Sequence, residues 1–548
     1  MKKLILATLL LALSILLSVI QQTVAAEETK LAVTIRVDDK LNKAGDTAPS
    51  QAFVQVIPQP QQTELFDGAF DVRNGVRIIC DKELNDIAAI FSERLSITKG
   101  ILFPVQPNGG ADGNITLKIT PEITEKEGYI LTVKPSGIQI EAASRGGIFY
   151  GLQTLNQLIF NTEEAGVPCC SITDSPRFAW RGVMLDVSRT FFPVNLLKRY
   201  IDLFSDYKLN VLHLHLTDDQ GWRLEIKQYP RLTSVGSRFA PEYNSMGGYY
   251  TQEEMRDLIR YAGLRNMAIV PEIDMPGHVC AAIAAYPELS CKGEIPVIHT
   301  HLEGPDIHEE VLCAGRETTY RFIFNVLDEI IALFPSPYIH IGADEVPKAY
   351  WEQCPHCQKA MVDNGLKNGE ELQSYFVNSV GTYLREKGRT LIGWDEILDG
   401  GKLTGNEVIM FWRTRNMEAV ENAIQSGFKV ICTPRSHCYF DYSYEKAGWQ
   451  SAYAIKTQTI FDYEPVMDRT PEKNYLGVQA NFWSHIDRSE YRIDRQLFPR
   501  VLGLAETAWS LPYKKNWEHF KKVARKQTDK LRTYDDVNVY PDASLTDE

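Results

Sequence analysis

No block of lysine and arginine stands out in the 548 residues, and acidic side chains outnumber basic ones, 71 to 58, for a formal net charge of −13. That leaves no electrostatic footprint for nucleic acid or an anionic membrane surface, and favours a neutral or locally recognised substrate. Beyond residues 4–20 there is no apolar run long enough to span a bilayer. A glycine-rich phosphate loop is missing too. The first strand-like run of the C-terminal part leads into Asp186-Val-Ser-Arg-Thr-Phe-Phe192, which argues against a doubly wound dinucleotide-binding sheet. Among ten cysteines there is a single CxxC, Cys354-Pro-His-Cys357, with no second pair at metal-site spacing. Zinc is therefore weakly supported there, and a local disulfide or structural thiols are preferred. Cys291 and Cys313 flank a stretch containing Gly, Pro and His and read as a loop staple. No metal and no cofactor is called for.

What is present begins with an export signal. Lys2-Lys3, the apolar run 4–20 and Val24-Ala25-Ala26 before Glu27-Glu28 read as a bacterial-type cleavable signal peptide over residues 1–26. The alternative, an uncleaved anchor, is disfavoured by the alanine-rich exit, and a lipid anchor by the absence of a cysteine after the run. The expectation is an exported chain, periplasmic or secreted. With 44% hydrophobic residues the remainder is too long for one small core. Residues 27–52 are polar and unpatterned, a leader or linker. Residues 53–175 alternate short β-like runs, such as 115–119 and 129–133, with Gly, Pro and Asn turns, and end in a turn feeding an amphipathic helix over 145–158; they read as a small α+β domain.

From Trp180 the rhythm changes to apolar strand-like runs alternating with long helical patterns. Strands are predicted over 182–187, 210–216, 267–273, 338–342, 390–394, 407–412, 429–433 and 477–483, and helices over 193–208, 252–266, 318–334 and 370–387; the connection 434–475 shows no clean helix. Eight such units close a (β/α)8 TIM barrel over 176–515, with a C-terminal helical segment and tail over 516–548.

In a barrel of this kind, chemistry belongs at the C-terminal ends of the strands. Those ends carry Asp186 and Arg189, Asp218-Asp219, Glu272, Asp274 and His278, Asp344-Glu345, Trp394-Asp395-Glu396, Trp412, Tyr439 and Asp441, and Trp483. A lone aspartate at a strand end is commonly a helix cap and a lone tryptophan is commonly core. Those plain readings are kept for Asp219, Glu272, Asp395 and Glu396. Acids, an arginine, a histidine and several tryptophans on one rim nevertheless describe a sugar site, where carboxylates move protons and aromatic walls stack on the pyranose. Asp344 and Glu345 follow Gly342-Ala343, where a turn can release the strand's alternation and let both reach one pocket. Like charges held close raise one pKa, so one acid can stay protonated while the other stays ionised.

Four segments then carry a resemblance: Trp180-Arg-Gly-Val-Met-Leu-Asp-Val-Ser-Arg189, His213-Leu-His-Leu-Thr-Asp-Asp-Gln-Gly-Trp222, Pro271-Glu-Ile-Asp-Met-Pro-Gly-His278 and His340-Ile-Gly-Ala-Asp-Glu345. In this order they resemble the β-N-acetylhexosaminidases of glycoside hydrolase family 20, over about Val56 to Tyr513. The resemblance implies an exo-acting retaining enzyme in which the substrate's own 2-acetamido group is the nucleophile. It implies a glycan substrate ending in a β-linked N-acetylhexosamine, with no nucleic acid and no stable membrane span. It makes Glu345 the general acid and base, and Asp344 the residue that orients the acetamido nitrogen. By the same resemblance Arg189 meets distal hydroxyls, Tyr439 the acetamide oxygen, Asp441 a sugar hydroxyl, and Trp394, Trp412 and Trp483 wall the pocket. Asp218, Asp274 and His278 support Glu345; for His278 a purely structural role competes with a proton relay. Two positions depart from the family: Ala343 stands where glycine is usual, and Ser484-His485 replaces a Thr-Glu that holds the far end of the sugar. His485 suggests room for a 6-O-sulfate on GlcNAc. The competing readings are a non-catalytic carbohydrate-binding barrel, against which the intact Asp344-Glu345, Arg189, Asp218 and Tyr439 argue, and an endo-acting or disaccharide-releasing glycosidase, which needs the loops 239–250, 291–313 and 434–475 to leave a cleft open past the terminal sugar.

Overall fold

The structure, a computed structural model, describes residues 53–546 except 74, 163–165, 240–246, 301, 303–307, 402, 446–452 and 485–488. The signal and leader expected over 1–52, His485, and parts of the three loops named above lie outside the described residues.

The first unit is a seven-stranded sheet of β1 (Gln62–Asp71), β2 (Ile78–Ile79), β3 (Val105–Gln106), β4 (Ile115–Ile119), β5 (Tyr129–Lys134), β6 (Gly137–Ala142) and β7 (Gly166–Asp174), ordered β1-β7-β5-β6-β4-β2-β3. Neighbours from β1 to β6 pair antiparallel, and those from β6 to β3 parallel. Alternate residues of β5 and β6, Tyr129, Leu131, Val133, Ile138, Ile140 and Ala142, are buried, as a sheet covered on one face requires. The cover is the helix Arg145–Asn161, which begins directly at Arg145 because the Ser144 hydroxyl accepts from the Gly146 and Gly147 amides. Gly151 lets this helix lie on the sheet: a Cβ there would meet Ile140 at 2.6 Å. Its far side meets the second unit, where the Gln157 side chain donates to the Asp206 carbonyl.

The second unit is a closed barrel of eight parallel strands: β8 (Trp180–Asp186), β9 (Val211–His215), β12 (Ala268–Glu272), β13 (Tyr338–His340), β14 (Thr390–Trp394), β15 (Val408–Phe411), β16 (Lys429–Cys432) and β17 (Tyr475–Phe482). A short hairpin, β10 (Thr217–Asp218) with β11 (Gly221–Trp222), follows β9. The expected (β/α)8 barrel behind an α+β domain is thus what the chain forms. Outer helices include Val194–Ser205, Gln252–Gly263, Glu317–Leu333, Gly369–Glu386 and Arg500–Trp509. Two stop short of the expected 208 and 266, because Lys208 (φ 63°) and Asn266 (φ 54°) turn left-handed and redirect the chain into the next strand. The connection after β16 holds, among its described residues, the short helices Arg435–Cys438 and Thr457–Asp462 and a 3-10 turn over Glu472–Asn474. No described helix is long and apolar enough to cross a membrane.

Candidate active site

The strand order delivers the charged residues of the second, third and fourth expected strands to one level. In the parallel register Glu272 pairs with His215 on β9 and with His340 on β13. Glu272 is accordingly no helix cap but a buried hub: Oε2 lies 2.6 Å from His215 Nδ1 and 3.1 Å from His213 Nε2, and Oε1 lies 3.0 Å from His340 Nδ1 and accepts from Trp394 Nε1 at 2.9 Å. Burial works against its charge, but His340 and His215 outweigh that and hold its pKa well below the carboxylate range. None of the three histidines stood out in the sequence. The signal was available: His213 and His215 sit two apart on one strand and so share a face.

The other side of His215 leads to the rim. Its Nε2 lies 2.7 Å from Asp218 Oδ2, and Arg189 Nη1 meets the same oxygen at 2.8 Å. Burial disfavours a charged His215 ring, yet the Glu272 charge and the hydrogen bond to Asp218 raise its pKa well above the ordinary value. Arg189 also contacts Asp186 at 3.2 Å and stands 5.0 Å above the Trp483 ring. Asp186 is a loop organiser, accepting from the Ser188, Arg189 and Ser484 amides.

His278 joins two pairs of acids. Nδ1 is 3.2 Å from Asp219 and 3.3 Å from Asp218, while Nε2 is 3.7 Å from Glu345 Oε2 and 3.9 Å from Asp344 Oδ2. Despite burial, these acids raise its pKa well above the usual histidine value. Asp219 also accepts from the Cys280 amide at the start of the helix Cys280–Ala285, so it braces the excursion after β12 instead of capping the helix after its own strand. Asp344 and Glu345 therefore converge on one ring, which adjacent residues of a regular strand cannot do. The release comes from backbone turns: Gly342 (φ 66°), Ala343 (φ 73°) and Glu345 (φ 47°) are left-handed, as is His278 (φ 51°). Asp274 braces that turn, accepting from the Ala343 amide at 3.2 Å, and a Cβ on Gly342 would meet Asp274 Oδ1 at 1.8 Å. Non-glycine left-handed residues gathered at one spot are the strain typical of a functional site.

The two acids differ. Asp344 is 8% exposed, and burial, with the Glu345 and Glu272 charges, raises its pKa to about 6. Its Oδ1 has no hydrogen-bond partner among the described residues. The Glu345 side chain is 37% exposed. Burial alone would raise its pKa, but the hydrogen bond and charge of His278 lower it. The two acids are split, but in the order opposite to the roles the resemblance implies: Asp344 holds its proton more tightly than Glu345.

A wall of aromatic rings completes the site. Trp412 stacks on Tyr439 at 6.0 Å, Tyr439 lies 6.3 Å from Trp483, and Trp483 lies 5.9 Å from Trp394. Burial, then the Tyr442, Asp441 and Asp344 charges, raise the Tyr439 pKa well above its usual value, so its hydroxyl stays a donor. Asp441 is buried beside it. Glu396 holds Trp412, accepting from Nε1 at 2.9 Å, and Asp395 anchors the Trp412 and Arg413 amides. Asp274, His278 and Asp344 lie close enough to share an ion, as do His215, Glu272 and Asp274; His215 and His278 already have both ring nitrogens facing carboxylates. The expected Cys291–Cys313 staple does not form; all ten cysteines are free, so Cys354 and Cys357 take the thiol form of the two read for them.

Residues 178–512 match the model of the glycosyl hydrolase family 20 catalytic domain, and residues 54–175 that of the family's domain 2. The chain is 38% identical over 488 residues to a beta-hexosaminidase of Porphyromonas gingivalis, covering 85% of this chain but only 62% of that protein. It is 35% identical to a beta-hexosaminidase of Vibrio furnissii, covering 84% and 77%. Among solved structures it is similar to a GH20 exo beta-N-acetylglucosaminidase from Vibrio harveyi in complex with N-acetylglucosamine, with TM-score 0.79, 34% identity and coverage of 90% and 80%. It is likewise similar to the beta-N-acetylhexosaminidase of Bacteroides fragilis, with TM-score 0.79, 33% identity and coverage of 89% and 97%.

Proposed function

Because this chain belongs to glycosyl hydrolase family 20, we propose that it is an exo-acting retaining β-N-acetylhexosaminidase, removing terminal β-linked GlcNAc or GalNAc from glycans by substrate-assisted catalysis. The observation that carries this reading is the Asp344 carboxylate, buried, with Oδ1 lacking a donor among the described residues, beside a more exposed Glu345. An acetamido N–H is the donor such an oxygen lacks, and its hydrogen bond favours the ionised form of Asp344. A sugar lying over Glu345 removes that side chain from water and raises its pKa. Substrate binding thus moves the proton from Asp344 toward Glu345, with His278 Nε2 facing both.

Glu345 then gives its proton to the glycosidic oxygen as the C1–O bond breaks, and the acetamide oxygen, oriented by the Tyr439 hydroxyl, closes on C1. Asp344 balances the positive charge of the oxazolinium-like ring. Glu345, now a carboxylate, takes a proton from the water that opens this ring, and two inversions give retention. Arg189, held by Asp186 and Asp218, meets distal hydroxyls, Asp441 meets a further hydroxyl, and Trp394, Trp412 and Trp483 enclose the sugar.

Turnover of an aryl β-GlcNAc by the wild type and its loss in Glu345→Gln, by about 10²- to 10⁴-fold in kcat, test the assignment. Undiminished activity refutes it, and inactivity of both chains favours a binding barrel. A thiazoline analogue of the intermediate is expected to inhibit; failure to do so removes acetamido participation. The Ser484-His485 departure favours a second reading, tolerance of a 6-O-sulfate, which a strong preference for unsulfated over 6-sulfated substrate overturns. Export is part of the proposal and rests on residues 1–26; a mature N-terminus at Glu27 is expected, and an uncleaved membrane-bound chain overturns it.

A further inference from the structure

The ten cysteines are not scattered evenly. Cys291, Cys313, Cys354 and Cys357 come from three separate stretches of sequence, yet their sulfurs all lie within 4.8 Å of one another. Three separations equal 3.7 Å: Cys291 to Cys357, Cys313 to Cys354, and Cys313 to Cys357. A zinc–thiolate bond of about 2.3 Å in tetrahedral geometry gives sulfur–sulfur edges of about 3.8 Å. A disulfide instead pairs each sulfur with one partner at about 2.05 Å. Here Cys313 and Cys357 each have two sulfur neighbours at the longer distance, which is the pattern of a shared centre and not of a bridge.

The surrounding backbone is shaped for the same purpose. Cys354 stands just before the helix Pro355–Asn364 and Cys357 lies in its first turn, so the CxxC turn presents both sulfurs from one end. Gly315 lies directly against that turn: a Cβ there would meet the His356 carbonyl at 2.2 Å and the Cys357 amide nitrogen at 2.5 Å. Cys313 is fixed by its amide donating to the Leu289 carbonyl at 2.8 Å, and Leu312 by donating to the Pro276 carbonyl at 2.9 Å. Cys313, Cys354 and Cys357 are buried and Cys291 is half-buried.

We propose that Cys291, Cys313, Cys354 and Cys357 bind one zinc-class divalent cation as a closed tetrathiolate site. Four protein sulfurs fill a tetrahedral shell and leave no position for substrate, so the role is structural. What the site joins is specific. Cys291 and Cys313 belong to the excursion after β12 that also carries Asp274 and His278; Cys354 and Cys357 belong to the segment after β13 that also carries Asp344-Glu345. The cation ties the loop holding the bridging histidine to the loop holding the two acids, outside the reaction itself.

The test is metal analysis of the full-length protein, purified without chelator after production in a reducing and in an oxidising compartment. One zinc per chain is expected from both, released by a mercurial reagent in step with the loss of four thiols. Cobalt(II) exchanged into the site is expected to show the thiolate charge-transfer and tetrahedral ligand-field bands. In Cys354→Ser/Cys357→Ser the zinc falls to background and the unfolding midpoint drops. Should that variant not fold, the wild-type stoichiometry and cobalt spectrum still decide. Less than about a tenth of a zinc per chain after zinc supplementation overturns the proposal, whether peptide mapping finds two disulfides or four alkylated thiols.

Discussion

Two buried networks of charge, one at the seam between the sheet unit and the barrel and one at the barrel mouth, use the same residue types to opposite ends. At the seam every oxygen of Asp174 is taken: Oδ1 accepts from the Gln61 amide and Trp509 Nε1, and Oδ2 from the Tyr129 hydroxyl and Lys208 Nζ at 2.7 and 2.9 Å. Lys208 further sits 4.3 Å over the Trp509 ring, and Arg181 pairs with Glu127 alongside. At the mouth, Asp344 Oδ1 and Asp274 Oδ2 lack hydrogen-bond partners among the described residues, and His278, Ala343 and Glu345 hold left-handed backbones. Completeness of pairing separates a joint from a site: the closed network spends its interactions on stability, while the open one keeps acceptors for a ligand.

The seam gives the largest test of that contrast. Lys208→Met leaves the Asp174 charge buried without its cation, and a loss of about 3–5 kcal/mol of unfolding free energy is expected. Denaturant titration measures it, and kcat on an aryl substrate should be unchanged for the folded fraction. A stability loss under about 1 kcal/mol, or a specific fall in kcat, erases the distinction between the two networks.

The mouth should respond with the opposite sign. Asp344 titrates at about 6 in the folded chain against 3.8 as an ordinary aspartate. Between those values the folded state holds a proton that the unfolded state has lost, so stability falls as pH rises through this window and stays low above it. Removing the charge as Asp344→Asn is expected to raise stability above pH 6 by about 1–3 kcal/mol, while removing activity. Unfolding midpoints of both chains from pH 4 to 8 check this: the gap should be small at pH 4, open toward pH 6 and then remain constant. A gap independent of pH, or a destabilised variant, removes the idea that the site keeps a costly charge for its chemistry.

How far the sequence told these regions apart follows from what each signal depends on. Barrel strands were legible because burial on both faces makes them continuous apolar runs; the predicted 390–394 coincides with β14, and 429–433 overruns β16 by one residue. Helix ends were less so, since nothing in the amphipathic pattern marks Lys208 or Asn266 as left-handed. Asp344 and Glu345 stood out as neighbours at a strand end. Glu272, His213, His215 and His340 did not, because a hub across three strands exists only in the register that sets Glu272 beside His215 and His340. The cysteines failed for the same reason: the partners of the single CxxC lie more than 40 residues upstream, with no local spacing to announce them.

Ala343 offers the finest test, because it asks whether strain at the mouth is retained or merely tolerated. Its φ of 73° is one that glycine adopts freely and alanine does not, at a cost of about 1 kcal/mol. The Gln373 side chain donates to its carbonyl at 2.8 Å and its amide donates to Asp274, so the surroundings impose the turn. Ala343→Gly removes the Cβ conflict but gives the unfolded chain more freedom, which offsets part of the gain. The expected net effect is a stabilisation of about 0.5–1 kcal/mol, read as a small rise in unfolding midpoint, with kcat/KM little changed because both braces act through backbone atoms. A destabilised Ala343→Gly would mean that the alanine methyl contributes packing worth more than the strain. The left-handed turn would then be a consequence of how this chain fills the space behind Asp344, and not a device that Asp274 and Gln373 hold in place.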